Sequence, residues 1–326
     1  MRLTRVLWAA LAGSLALAAP ASAQGPPPPA AANGAAVQTV AQGVPTPTQF
    51  AFGGGTVFAA AGGSEEPGGP PGGVFVLKNG TATRVPNSPA IVFGVAWRGG
   101  KLYVSAGPRL LVWSKWNGTT FKKRKTLRTL SRKSGWWNGL AFGPDGRIYS
   151  GIGFQDTDEF KRVKGSLTKS WVSIKPNGKG LRLVARGLRQ PWMTTFVKGR
   201  PFLSVLAQDN VDPPPPDWIV NPRKGQDYGY PKCTRSEPKP CRGYAKPFTT
   251  FENHASPMGL GAIGKKLYVA LFGGLGTGPT VVSVPLKGGA PTPFLTGYVA
   301  PVVALGVNNG WVYTGDLTGA VYRVKP

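Results

Sequence analysis

The chain has 326 residues, 41% of them hydrophobic and 10% aromatic, which is enough apolar material for one large core or two modest ones and excludes a wholly disordered chain. Thirty-nine Lys and Arg against thirteen Asp and Glu give a formal charge of +26, so the molecule attracts anions. Two cysteines and a single histidine exclude a standard four-ligand zinc site.

Residues 1–23 read as a signal peptide: Arg2 and Arg5 form the charged start, Val6 to Ala18 the apolar stretch, and Ala21-Ser22-Ala23 the small-residue cleavage site. No later segment approaches the roughly 20 uninterrupted apolar residues that a membrane-spanning helix needs. The expected location is therefore secreted or extracytoplasmic, in a periplasm or cell-wall space. Residues 24–36, rich in Pro and Ala, read as a disordered leader, and residues 37–326 as the folded domain.

Within that domain no amphipathic helix is evident, and a short strand pattern following a Gly-rich turn recurs. It ends at Phe58, Tyr103, Tyr149, Leu203, Tyr268 and Tyr313, with the spacing of known propeller repeats, about 40 to 50 residues, stretched in the fourth and fifth units. Each copy follows another strand, as in Pro47-Thr-Gln-Phe-Ala-Phe52 or Pro301-Val-Val-Ala-Leu-Gly-Val307. The expected fold is all-β, a six-bladed β-propeller with four-stranded blades. The sixth unit lacks an outermost strand because the chain stops at Pro326, so residues 37–43 are expected to supply it, closing the ring and covering an open edge. A β-sandwich is the structural alternative, but it gives no reason for a sixfold period.

Several features fall on the turns and loops. Asn79-Gly-Thr81 and Asn117-Gly-Thr119 fit both glycosylation sequons and hairpin turns. Gly273-Gly-Leu-Gly-Thr-Gly278 lies between strands, with no helix to make it a phosphate loop. The densest basic run, Lys122 to Lys125 with Arg128, Arg132 and Lys133, is either a solvated outer strand or an anion-binding surface. Cys233 and Cys241 lie close together in a loop of an exported chain, where a disulfide is expected.

Taken together, Asn138-Gly-Leu-Ala-Phe-Gly-Pro-Asp-Gly-Arg-Ile-Tyr149, Ala185-Arg-Gly-Leu-Arg-Gln-Pro-Trp192, Gly225-Gln-Asp-Tyr-Gly-Tyr-Pro-Lys-Cys233 and His254-Ala-Ser-Pro-Met-Gly-Leu260 resemble the secreted pyrroloquinoline quinone (PQQ) dependent sugar dehydrogenases, the glucose/sorbosone dehydrogenase family. The resemblance implies that Arg189 and Gln190 stand where that family contacts the quinone. Inner strands of a propeller all run the same way, so the residues at their starts gather at one mouth of the channel. Here those are Trp136, Trp137, Arg189, Gln190, His254 and Tyr298. A guanidinium suits carboxylates and indoles offer flat apolar faces. The plainer alternative is that Arg189 pins a loop through backbone carbonyls and that the two tryptophans plug the channel.

The resemblance also fails at informative positions. The family's catalytic histidine falls at Gly135, and an acidic position falls at Phe154. His254, the single histidine, is the candidate replacement base, with Asp156, Asp158 and Glu159 as loop acids in the same region. Calcium, the family's companion ion, would draw on Asp209, Asn210, Asp212, Asp217 and Asp227. The expected function is PQQ-dependent oxidation of an aldose or a sorbosone-like sugar. The alternative is a non-catalytic basic propeller that binds an anionic cell-envelope polymer or a protein partner. Nucleic acid is disfavoured by location, and lactone hydrolysis by the scarcity of acids at the inner strand starts.

Overall fold

The structure, a computed structural model, describes residues 26–64, 67–153, 160–161, 164–208, 211–237, 239–274, 276 and 278–326. The segment read as a signal peptide lies outside them, as do Phe154, Asp156, Asp158, Glu159, Asp209 and Asn210. No helix among the described residues is long and apolar enough to cross a membrane.

The fold is all-β, with two single-turn 3-10 segments at Arg132–Ser134 and Lys239–Cys241. After β1 (Ala30–Ala31) and β2 (Gln38–Gln42), the chain lays down successive antiparallel meanders. The first is β3 (Pro47–Gly53), β4 (Thr56–Gly63), β5 (Pro71–Lys78) and β6 (Gly80–Arg84); the second is β7 (Gly94–Arg98), β8 (Lys101–Ala106), β9 (Arg109–Trp116) and β10 (Phe121–Thr129). The third is β11 (Trp137–Phe142), β12 (Ile148–Ile152), β13 (Ser170–Ile174) and β14 (Arg182–Arg186); the fourth is β15 (Gln190–Val197), β16 (Arg200–Leu206), β17 (Trp218–Val220) and β18 (Thr249–Thr250). The fifth is β19 (Pro257–Ile263), β20 (Lys266–Leu271), β21 (Thr280–Pro285) and β22 (Thr292–Thr296); the chain ends with β23 (Val302–Asn308), β24 (Trp311–Asp316) and β25 (Val321–Val324).

The ends of the chain meet in one sheet. Strand β2 pairs antiparallel with β25, Gln38 opposite Arg323 and Thr39 opposite Tyr322, so it occupies the edge that the short sixth meander leaves open. Its other edge pairs in parallel with β6 through Ala41 and Gln42. The first and last meanders therefore merge into one eight-stranded sheet in the order β23-β24-β25-β2-β6-β5-β4-β3. Around the axis, β3 packs beside β7, β7 beside β11, β11 beside β15, β15 beside β19, β19 beside β23, and β23 beside β3 again. This closed circle of first strands makes the molecule β-propeller-like.

The recurring aromatic of the sequence repeat is the sheet-to-sheet contact. Phe58 stacks on Trp97 at the end of β7, with ring centroids 5.5 Å apart. Tyr103 meets Phe142 of β11 at 5.1 Å, Tyr149 meets Phe196 of β15 at 5.1 Å, and Tyr313 meets Phe52 of β3 at 5.0 Å, the step that closes the circle. Such pairs are worth about 0.5–1.5 kcal/mol beyond the area they bury. In the fourth meander the equivalent residue is Phe202, not Leu203. Val197 opposite Arg200 closes that hairpin and puts Phe202 opposite Thr195, the register in which Phe58 faces Ala51.

Polar side chains tie the first strands together beneath the aromatic layer. Gln49 on β3 donates to Leu140 O (2.9 Å) and accepts from Val95 N (2.9 Å) and Leu140 N (3.0 Å), joining three neighbouring strands. Asn138 donates to Pro191 O at 2.6 Å, and Ser204 to Met258 O at 2.8 Å. Each of these side chains is buried and bonded, which is the condition for a polar group inside a core to stabilise it.

The leader is not the structureless segment expected from its composition. Ala30 and Ala31 pair with Thr296 and Leu295 on the open edge of β22, making that sheet five-stranded. Ala31, Ala35 and Val37 pack against the core shared by the fifth and sixth meanders. An unpaired edge and an apolar strip give a Pro/Ala-rich segment something to bind.

Candidate functional site

Every first strand begins at the same end of the molecule, here called the mouth, and a cavity of about 1320 Å³ opens there. Residues at or near the starts of all six first strands line it: Thr48, Phe93, Trp136, Trp192, Met258 and Val303. The rest of the wall comes from the mouth-end connections, with Ile91, Phe272 and Leu317 adding apolar surface and Thr46, Ser64 and Thr318 adding hydroxyls. No Lys, Arg, His, Asp or Glu is among the described lining residues. Trp136 is 45% exposed and, like Trp192, packs on Phe93, with centroids 6.0 and 5.6 Å away. The Nε1–H of Trp192 is buried with no acceptor among the described residues.

The residues singled out by sequence distribute unevenly around this cavity. Trp136 lines it. Trp137 does not: it is fully buried within the third meander's core and donates from Nε1 to Pro108 O at 3.1 Å. Consecutive strand residues point to opposite faces, so the two tryptophans cannot share one wall. Tyr298 is also buried, with its hydroxyl donating to Thr314 Oγ1 at 2.8 Å, and burial pushes its ionisation far above the ordinary tyrosine range. Arg189 donates from Nη1 to Ala207 O, the carbonyl-pinning role. Gln190 packs its amide against Gly153, where any β-carbon would collide with it. Neither Arg189, Gln190 nor His254 lines the cavity; His254 is exposed on the connection from β18 to β19 with φ +61°.

Gly135, at the position that the resemblance gives to a histidine, has φ +77°, and a β-carbon there would lie 3.0 Å from both Ile152 Cγ2 and Thr168 Cγ2. Glycine meets both demands, the left-handed backbone and the lack of room. A histidine there would need Ile152 and Thr168 to give way by a few tenths of an ångström and would hold a backbone conformation that side chains rarely adopt.

Of the expected calcium ligands, the three that are described, Asp212, Asp217 and Asp227, do not come together as a calcium site. Both carboxylate oxygens of Asp217 are engaged by backbone amides: Oδ1 accepts from Ala207 N at 2.6 Å and Oδ2 from Ser256 N at 2.7 Å. The residue is 2% exposed and latches β16 and β19 to β17. Asp212 is exposed, and Asp227 pairs with Arg186 at 2.9 Å at the outer rim. Among the described residues no group of three or more His, Cys, Asp or Glu side chains could hold a metal ion.

The connection from β17 to β18 carries the expected disulfide, Cys233 to Cys241. Arg235 inside that loop stacks over Trp218 at 4.4 Å and donates to Ala245 O at 2.6 Å. Burial pushes the Tyr228 hydroxyl up to about 12, against the opposing charges of Arg235 and Arg223. Gln49, Phe93 and Trp192 carry no motif that marks them as working residues. The signal that was available lay in position: each sits at or near the start of a first strand.

No family model matches the sequence, and no curated protein does. Solved structures do resemble the fold. The PQQ-bound aldose sugar dehydrogenase of Streptomyces coelicolor superposes with a TM-score of 0.71 at 21% identity, over 92% of this chain and 99% of that one. A Thermus thermophilus oxidoreductase, named a glucose dehydrogenase, gives 0.71 at 18% identity over 89% and 100%. A Trichoderma reesei carbohydrate-active enzyme of family AA12 gives 0.72 at 17% over 92% and 98%. At such identities the likeness is one of fold.

Proposed function

We propose that the chain is an oxidoreductase-like six-bladed propeller, four strands to the blade with β2 completing the last, whose aromatic mouth receives an uncharged sugar-like ring. The observation that carries this reading is the convergence of all six first strands on one cavity walled by Trp136, Trp192 and Phe93. The C–H faces of an aldose ring stack on indole, and its hydroxyls match those of Thr46, Ser64 and Thr318. Proteins of this shape include ones named aldose sugar dehydrogenase and glucose dehydrogenase, which supports the choice of ligand class. The same reading puts the molecule outside the cytoplasm, in keeping with its disulfide and the charged-apolar start of the chain.

PQQ would supply the hydride acceptor for such an oxidation. The aromatic walls suit its flat ring system, but the described lining offers no cation to its carboxylates and Arg189 is engaged at Ala207. The described residues therefore do not fit the quinone, and no step is routed through it.

The test is a tryptophan-fluorescence titration of the mature chain with a panel of aldoses, and separately with PQQ with and without calcium. Saturable aldose binding that weakens about tenfold or more in Trp136→Ala is the expected result, since one lost stacking face is worth on the order of 1–2 kcal/mol. Saturable PQQ binding that depends on Arg189 would replace this ligand with the quinone. Binding of neither class at millimolar concentration would sink the reading.

A further inference from the structure

The outermost strands of the meanders are nearly all covered by another piece of the chain. Strands β2 and β6 pair with one another in parallel, Ala41 with Gly80 and Gln42 with Thr81. Strand β22 takes β1 on its edge, Ala30 opposite Thr296. Strand β14 receives the segment after β17: Gly225 N donates to Val184 O at 2.8 Å, Arg186 N to Gln226 O at 3.0 Å and Tyr228 N to Arg186 O at 2.9 Å. Strand β18 is two residues long. Strand β10 differs from all of these. At nine residues it is the longest strand among the described residues, and none of them pairs on its outer edge. The turn at Gly178 abuts Leu127 O, which leaves Phe121 to Thr126 as the open stretch.

That stretch holds the start of the densest basic run. Lys122, Lys123 and Lys125 are exposed, and from Pro67 to Pro144 the chain contains no Asp or Glu, so the second meander has no acid of its own to set against them. Beside the strand lies a groove of about 270 Å³, floored by Leu111 and Trp113 and rimmed by Arg109, Arg124 and Lys125. Arg124 is fixed there, stacked over Trp113 at 4.4 Å and donating to Pro86 O and Asn87 O at 2.7 and 2.8 Å.

We propose that β10 accepts an acidic, extended segment of a partner protein as an added strand. The unpaired N–H and C=O groups of a strand edge bond another backbone, which an anionic polysaccharide does not possess. The lysines then select among peptides. They repel a second copy of β10 and deter neutral apolar strands, whereas acidic side chains opposite them stabilise the pair. A strand laid here turns every second side chain toward the groove's face, where a carboxylate suits the guanidinium groups of Arg109 and Arg124. The molecule covers its own edges in the same way, β22 with β1 and β14 with residues 225–228.

The experiment titrates the mature chain with a synthetic peptide alternating Glu and Val, and with the same peptide N-methylated throughout, which keeps every carboxylate and removes every ladder N–H. Saturable binding of the first, binding of the second at least about tenfold weaker, and slowed amide exchange confined to β10 are the expected results. Replacing Lys122, Lys123 and Lys125 by Gln should weaken binding about tenfold, and replacing Lys265, Lys266 and Lys287 on the fifth meander less than about threefold. Should the first variant misfold, the two peptides and the exchange pattern on the native chain decide the matter. Equal affinity for the methylated peptide, equal losses in the two variants, protection elsewhere than at β10, or no binding at millimolar peptide would overturn the proposal. Polygalacturonate bound as tightly as the peptide would do the same, since it carries the charge without the backbone.

Discussion

The two ends of the same strands are built differently. At the mouth the connections cross between meanders and are held by buried side chains: Asp217 latches two neighbouring backbones, Tyr298 is sealed against Thr314, and Trp192 lies in the cavity wall. At the far end most turns are local hairpins whose register is set by one or two pairs, such as Arg98 opposite Lys101 or Ile263 opposite Lys266. The long exception, β17 to β18, carries its own staple in the Cys233 to Cys241 disulfide. A connection that depends on partners from elsewhere in the chain supports a cavity. A self-contained turn is free to carry charge into solvent.

Substitutions should break this contrast in order of how many outside partners they disturb. The largest effect is expected for Gly259→Val on β19, since any β-carbon there falls on the backbone of Leu305 in the adjoining first strand. Forcing these strands apart should cost about 3 kcal/mol or more, read as a lower denaturant midpoint. Next comes Asp217→Ala, which leaves the amides of Ala207 and Ser256 without their acceptors and should cost on the order of 2–4 kcal/mol. Asp217→Asn, keeping one acceptor, should lose less, and calcium should leave the melting temperature of the native chain unchanged. A rise on adding calcium would contradict the latch.

A smaller and pH-confined effect belongs to Tyr228. Burial raises its ionisation from the ordinary 10 to about 12, so the folded state keeps a proton that the unfolded state releases. That contribution to stability is fully present below pH 10 and is lost as pH rises through about 12. Tyr228→Phe should therefore flatten the decline in stability across that window while leaving lower pH untouched by ionisation. The smallest effect is expected at the far end, where Lys198→Gln with Lys265→Gln should move stability by less than about 0.5 kcal/mol. A loss comparable to that of Asp217→Ala would erase the distinction between the two ends.

How far these features were legible in the sequence depends on how local they are. The recurring aromatic after a Gly-rich turn betrayed the repeat because four of the copies make the same ring contact with the neighbouring meander. It slipped by one residue in the fourth unit, where Pro201 interrupts the apolar pattern and Phe202 and Leu203 both fit the apolar slot; counting from the turn at Gly199, which the pairing of Val197 with Arg200 fixes, gives Phe202. The short separation of Cys233 and Cys241 made their pairing readable. Trp136 and Trp137 looked equivalent side by side, yet strand alternation sends one to the cavity and the other into the core.

The sequence by itself determined the all-β character, the period, the closure of the last sheet by residues near the start of the chain, and the sign of the charge. Each of these follows from composition, turn chemistry and repetition along the chain. The tertiary structure alone decided that Asp217 is a latch, that Arg189 holds a carbonyl, that the leader runs along β22, and that the cavity wall is uncharged among the described residues. Those outcomes depend on which backbone amides, carbonyls and strand edges lie within reach once distant meanders close into a circle, and no local pattern in the chain records such distances.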